Sequence, residues 1–437
     1  MTPYHDPTVA EHDMYDMSSF TQHLYCPGCF EIMFSSNSAS TPQNNHPPVY
    51  NAYKLSSNQE IVIDGDIRKP VWDRVQWSVP FNEIRGAYDE GDPFGPPKDM
   101  CPTYHRCRTR MKMLWDDDYL YIAALLEYGV AGTGEEETHD NIDEDETTSL
   151  VSEIIATYTE RNSPIFHLDS DFEVFIDVDG SCHNYKELEM NAWNTVWNLL
   201  MDKPYADGGI EHSGRVASDP SDPLYYEVTD QKTAAKLIKG TINGIVAGPH
   251  DGNVWAVEMA LPHAETTRLV SNALQRTPQV GEFWRINFSR VEKKGDINWT
   301  WAPQVVWNAK EGRYTGKISM HEPESWGYVR FVDDCENGKG SSWHDPMWQS
   351  QRIAVACYHA LHYYRECNGE FTNDLSALNL PSDPVFFDVS VEIILQHQLG
   401  TGDEFLVVVH NDELGRTVKV TNDRKITYSS KERKSVE

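Results

Sequence analysis

From Tyr53 onward the chain is written in short apolar runs broken by Gly, Pro and Asp clusters, and this punctuation limits the fold more than any single residue does. "EIVIDGD", "MKMLWDDDYLYIAALLEY", "SDFEVFIDVDG", "KELEMNAWNTVW", "AAKLIKGTING", "VWAVEMALP", "EFWRINFSRVE" and "WGYVRFVD" follow one another with few helical periods between them. Many short strands separated by turns predict a mainly β fold, an antiparallel β-sandwich of jelly-roll type. Residues 169–197 show the pattern most fully. Phe172, Val174, Ile176 and Val178 alternate with Glu173, Phe175, Asp177 and Asp179, so the two sets point to opposite faces of a strand. After a turn at Asp179-Gly180-Ser181 the alternation resumes, with Leu188, Met190 and Ala192 against Glu187, Glu189 and Asn191. One face is a core face. The other ranks acids and amides, which suits a solvated sheet surface or a binding face for a ligand rich in hydroxyl groups.

Three segments follow from changes in composition. Residues 1–50 mix Ser, Asn, Pro and His without period and end in "SSNSASTPQNNHPP", which predicts a disordered tail. Residues 51–335 carry the strand pattern, interrupted by the acidic run "GTGEEETHDNIDEDETTS" at 132–149, read as a solvated insertion. "HAETTRLVSNALQRTP", at 263–278, reads as a helix or turn capping the sandwich. A Gly-rich linker at 335–340 precedes a different unit, 343–437. There Asp345-Pro346 reads as an N-cap followed by Pro at the first helical position. Ile353, Ala356, Cys357, Ala360, Leu361 and Tyr364 recur at helical spacing, and Asn368-Gly369 supplies a stop. Alternating strands follow around Phe387 to Leu395, Leu406 to Val408 and Val418 to Tyr428, giving a small α+β domain of one long helix and an antiparallel sheet.

Lys and Arg number 37 against 68 Asp and Glu, a formal charge of −31, which disfavours nucleic acid and anionic membrane surfaces as partners. The longest apolar runs, 119–126 and 385–395, are too short or too interrupted by charge to span a bilayer. The start, "MTPYHDPTVAEHDMYDMSSF", lacks the basic head and apolar centre of a secretory signal, so either the protein stays in the cell or a leader is missing from this sequence. Eight cysteines show no framework spacing apart from Cys26-Pro-Gly-Cys29, and read as reduced thiols. That pair lacks the second half of a zinc site and the βαβ context of a redox site. Cys357, His359 and His362 share the predicted helix, where one face offers at most two metal ligands, so they read as packing residues.

The ordered set "IDGDIRKPVWDRVQW", "MLWDDDYLYIAALLE", "DSDFEVFIDVDG", "YKELEMNAWNTVW", "GTIN", "WAVEMALP", "GEFWRINFSRVE", "WTWAP" and "HEPESWGYVRF" resembles the family 9 carbohydrate-binding modules and their broader relatives, over residues 61–332. The resemblance implies a β-sandwich that holds sugars, commonly with bound calcium, as the accessory module of an enzyme that degrades polysaccharide. It places the sugar-binding carboxylate at Glu173. It places the first clamping tryptophan at His167, the arginine at Glu189 and the second tryptophan at Met320, so the aromatic clamp is not reproduced.

A sugar presents apolar C–H faces and a rim of hydroxyls, and its site needs aromatic platforms with carboxylates, amides or Arg around them. Phe166, His167 and Trp193 or Trp197 are the candidate platforms, and Glu173, Glu189, Asn191 and Arg285 the polar partners. The competing role for Trp193, Trp197, Trp284 and Trp301 is packing between the sheets. Glu173 and Glu189, on adjacent strands and comparable faces, would repel unless a cation or donor sits between them. Asp169, Asp171, Asp177 and Asp179, at the two ends of one strand, are the candidates for calcium, which takes hard oxygen ligands in number. A glycosidase needs two acids across a cleft, and strand neighbours on a sheet do not provide that. Further alternatives are haem held by His167, Met190 or His321, though without a CxxCH attachment motif, and a protein-interaction module with no sugar ligand. The reading is therefore a noncatalytic carbohydrate-binding sandwich.

Overall fold

The structure is a computed structural model that describes residues 46–56, 59–105, 107–128, 154–244, 252–270, 274–292, 295–333, 343–382, 389–397 and 403–430. The first fifteen strands are β1 (Val49–Lys54), β2 (Asn82–Glu83), β3 (Arg108–Trp115), β4 (Tyr119–Glu127), β5 (Asp171–Asp177), β6 (Tyr185–Asn191), β7 (Val196–Met201), β8 (Glu211–Ser213), β9 (Lys232–Lys239), β10 (Val254–Pro262), β11 (Phe283–Glu292), β12 (Ile297–Thr300), β13 (Val305–Asn308), β14 (Arg313–Gly316) and β15 (Gly327–Val332). Two one-turn helices, α1 (Pro70–Asp73) and α2 (His263–Thr266), lie among them. The acidic insertion, the linker at 335–340, Cys26 and Cys29 and most of the expected tail lie outside the described residues.

A single sheet, ordered β8-β7-β6-β5-β11-β15-β1-β3-β4-β10-β9, supplies both layers of the sandwich. Its two halves close on one apolar core in which Phe172, Val174, Ile176 and Leu188 meet Met111, Leu120, Ile122 and Trp255. Trp284 and Trp301 belong to that core. The expected mainly β sandwich is present, with one departure from antiparallel pairing. β1 runs parallel to both β15 and β3, joining the layers. A parallel pair needs a long connection, and here almost the whole sandwich lies between β1 and β15 in sequence. β1 also starts at Val49, inside the stretch expected to be tail. Its Tyr50 is buried, donates its hydroxyl to the Gln76 carbonyl and accepts from the Met113 N–H.

The C-terminal unit is α3 (Trp348–Asn368) laid across β16 (Ser390–His397), β17 (Asp403–Asn411), β18 (Arg416–Thr421) and β19 (Ile426–Ser430), which pair in sequence order. Asp345 accepts from the Met347 N–H at 2.9 Å and leaves Pro346 in that turn, so α3 begins two residues later than the Asp-Pro pair suggests. Gly369, with φ of 84°, ends it as expected, because a left-handed residue without Cβ is unstrained there. Ile353, Cys357, Ala360 and Leu361 bury against Phe405, Val407, Val418 and Val420. Burial pushes the Cys357 thiol up to about 12, and His362 is tied to the Asn422 carbonyl, so both serve packing.

Arg424, in the β18–β19 turn and 1% exposed, fastens this unit to the sandwich. Its guanidinium meets Glu322, Glu324 and Asp207 and lies over the Tyr358 ring. His183 also faces the Asp423 carbonyl at 2.8 Å, and the Ile426 N–H donates to the Ser181 carbonyl at 3.0 Å.

Candidate functional site

The alternation along β5 separates two faces as expected. Phe172, Val174 and Ile176 enter the inter-sheet core, and Asp171, Glu173, Phe175 and Asp177 share the outer face. Register carries that face across the sheet: Trp197, Glu189, Glu173 and Ser289 form one transverse row over β7, β6, β5 and β11. The face is closed rather than solvated. Ile84, Met320 and Trp326 pack on Phe175, Tyr185, Trp197 and Leu199 as a second, smaller core, with Phe166 against it. Every residue of β5, β6 and β7 is buried.

Glu173 is 3% exposed, so it is sealed and does not present a carboxylate to a ligand at the surface. Glu189, Asn191 and Arg285 are equally enclosed, and the expected oxygen-rich binding row is corrected on that ground. Asn191 builds the β6–β7 turn, donating to Tyr158 and Asp169 and accepting from the Trp193 and Thr195 N–H groups. Arg285 reaches the Trp326 and Glu324 carbonyls, the Tyr328 hydroxyl and Gln351 of α3, which makes it a clamp between the units. Phe166 stacks on Trp197 with centroids 6.4 Å apart, and Arg215 covers the Trp197 ring at 4.4 Å. His167 lies in a 3-10 turn, and the expectation for its side chain falls outside the described residues. Trp193 stands at 50% exposure, with its Nε1 donating to the Ala156 carbonyl.

The four aspartates do not converge on one ion. Asp171 and Asp177 sit six residues apart on one strand, roughly 20 Å at 3.3 Å per residue. Asp169 already accepts from Thr157, Tyr158 and Asn191, and Asp177 from the Cys182 N–H. A calcium ion shared by these four does not fit. The haem ligands do not converge either: Met190 is in the inter-sheet core, whereas His321 is on the other face, bonded to the Tyr185 hydroxyl. Burial lowers His321 to about 4.

What register does assemble is an acid cluster. Glu173 and Glu189 are directly opposed, Asp171 is next along β5, and Glu187 is next along β6. Burial pushes Glu173 up to about 7. Burial and the neighbouring carboxylates hold Asp171, Glu187 and Glu189 well above the usual carboxylate range.

An open cleft of about 790 Å³ lies elsewhere, lined by His46, Val79, Asn82, Trp301, His344, Asp345, Trp348 and Gln349 with four prolines. His46 is its organising ring. It stacks on Tyr328 with centroids 4.7 Å apart, meets His344 edge-on at 4.6 Å and stands 5.3 Å from Trp348. Its Nδ1 faces the Pro47 carbonyl at 2.7 Å and its Nε2 accepts from the Asp345 N–H, which is the pattern of a neutral imidazole. Burial lowers it to about 4. The only side-chain hydrogen bond of Asn82 among the described residues is to its Oδ1, from the Glu83 N–H, which leaves its amide donor for the cleft. The site is not legible in the sequence because its walls come from the expected tail, the loop at 79–81 with β2, the β12–β13 turn and the start of α3. The ring-rich "HPP" and "WHDPMW" stretches were the available signal.

No protein-family model matches the chain, and no curated protein matches it in sequence. Among solved structures it is similar to a candidate carbohydrate-binding protein from Bacteroides uniformis, at 11% identity and a TM-score of 0.40 over 65% of this chain and 99% of that one. It is also similar to a family 9 carbohydrate-binding module from Caldicellulosiruptor kristjanssonii solved with cellotriose, at 14% identity and a TM-score of 0.32 over 67% and 97%. A family 9 module from the same organism solved with glucose gives 14% and 0.32 over 68% and 100%. No helix among the described residues is long and apolar enough to cross a membrane.

Proposed function

We propose that this protein binds carbohydrate without transforming it, and that the sugar sits in the cleft of His46, Asn82 and Trp348. One observation carries the reading: this open cleft combines aromatic rings with amide groups at its edge, the pairing that the C–H face and hydroxyl rim of a sugar require. The strand-order resemblance noted in the sequence supports the same ligand class. Hydrolysis would need two carboxyl groups facing each other across the bound bond. Among the lining residues the sole carboxylate is Asp345, which is engaged with the Met347 N–H and the Tyr328 hydroxyl. A neutral ligand also suits a chain of net charge −31.

A glycan array followed by calorimetry tests this. Trp348→Ala and Asn82→Ala are each expected to weaken the best glycan at least tenfold, about 1.4 kcal/mol. Glu173→Gln is expected to leave its affinity unchanged. Absence of any glycan ligand, or full affinity in both cleft variants, would count against the reading.

A further inference from the structure

We propose that Asp171, Glu173 and Glu189 form a binding site for one hard divalent cation inside the outer layer of the sandwich. Each side chain offers an oxygen, and these three oxygens lie within 4.8 Å of one another. Among the described residues no donor reaches either carboxylate oxygen of Glu189 or Oδ2 of Asp171, although the residues are 1% and 0% exposed.

The other buried acids of this protein show how unusual that is. Glu258 accepts from Trp72, Lys69 and two backbone N–H groups. Glu292 accepts from Tyr128, Arg290 and Ser170, Glu227 from Arg161 and Asn162, and Asp169 from Thr157, Tyr158 and Asn191. Each of these four acids is met by donors, whereas no donor among the described residues reaches Glu189. The charged neighbours that act on Glu189 are Glu187, Glu173 and Asp171, all of the same sign. The two arginines of β11 are committed elsewhere, Arg290 to Glu292 and Arg285 to the Trp326 carbonyl.

Carboxylates opposed across a strand pair and cut off from water repel strongly, and a buried acid without a donor is costly. A divalent cation removes both penalties at once. The set contains no nitrogen or sulfur, which selects the calcium and magnesium class over zinc or copper. The Ser289 hydroxyl, opposite Glu173 in the register, is placed to add a further oxygen. The site is separate from the sugar cleft and does not depend on that reading.

The test uses the full chain stripped with chelator and dialysed against Ca²⁺ or, in parallel, Mg²⁺, with bound metal counted by mass spectrometry and unfolding followed by heat. One equivalent of at least one of the two ions is expected, with a rise in Tm. Asp171→Asn and Glu189→Gln, which keep side-chain shape, are each expected to weaken uptake at least tenfold and to abolish the cation-dependent rise in Tm. In the absence of cation Glu189→Gln is expected to melt above the stripped wild type, since it removes a like charge. Wild-type protein that takes up neither ion would overturn the proposal, even if no variant folds. So would uptake that is equally tight in the Asp171→Asn and Glu189→Gln proteins, which would place the ion at other ligands.

Discussion

Replacing Arg424 with methionine is expected to lower the stability of the folded chain by about 3–5 kcal/mol, read as a fall in the urea midpoint. The guanidinium is enclosed by Glu322, Glu324 and Asp207, all at most 5% exposed in their side chains. Its charge holds the Glu324 carboxyl well below the usual carboxylate range, and His359 adds to this from α3. Removing the cation leaves three enclosed carboxyl groups, with Lys317 at 2.9 Å still beside Glu322 and His359 at 3.2 Å still beside Glu324. The same contacts carry the turn between β18 and β19 onto the sandwich, so near-UV circular dichroism should report loosened packing around Tyr358 as well. Arg424→Lys keeps the charge but not the planar fork, and is expected to recover only part of the loss. If the methionine variant costs less than 1 kcal/mol, the cluster does not hold the units together.

The second large effect is expected at Glu258. This residue, with no exposed surface, sits on β10 and gathers α1 and its preceding turn onto the sheet. Oε1 accepts from Trp72 Nε1 at 2.9 Å and from Lys69 Nζ at 2.7 Å, while Oε2 accepts from the Asp64 and Gly65 N–H groups at 3.0 and 3.1 Å. Gly65 fits here because its φ of 78° and its close approach to Lys236 leave no room for a Cβ. Glu258→Ala strands three donors, two backbone N–H groups and the indole of a fully buried tryptophan, and leaves the Lys69 ammonium with Asp64 alone. A loss of about 3–5 kcal/mol is expected by chemical denaturation. Glu258→Gln, which keeps an acceptor of the same shape, should lose roughly half as much. Equal losses in both would mean that charge alone matters at this position.

The contrast between Glu258 and Glu189 explains what could be read in advance. Both are glutamates in strands with alternating neighbours, and nothing local distinguishes them. One is met by donors from α1, almost two hundred residues earlier in the chain, and the other is met by further acids through the pairing of β5 with β6.

The period-two strands, their succession along the chain, the core-facing set from Phe172 to Ile176 and the long helix with its stop at Gly369 are legible in the residues alone. These depend on local sterics and on which residues share a face, and both are written within a few positions of each other. Long-range packing sets the rest: Ile84, Met320 and Trp326 roof the acidic face of β5 and β6, Arg285 clamps rather than binds, and the open cleft gathers His46, Trp301 and Trp348. An alternating strand specifies two sides but not what covers them. Cover is set by contacts between segments far apart in sequence, which no local pattern encodes.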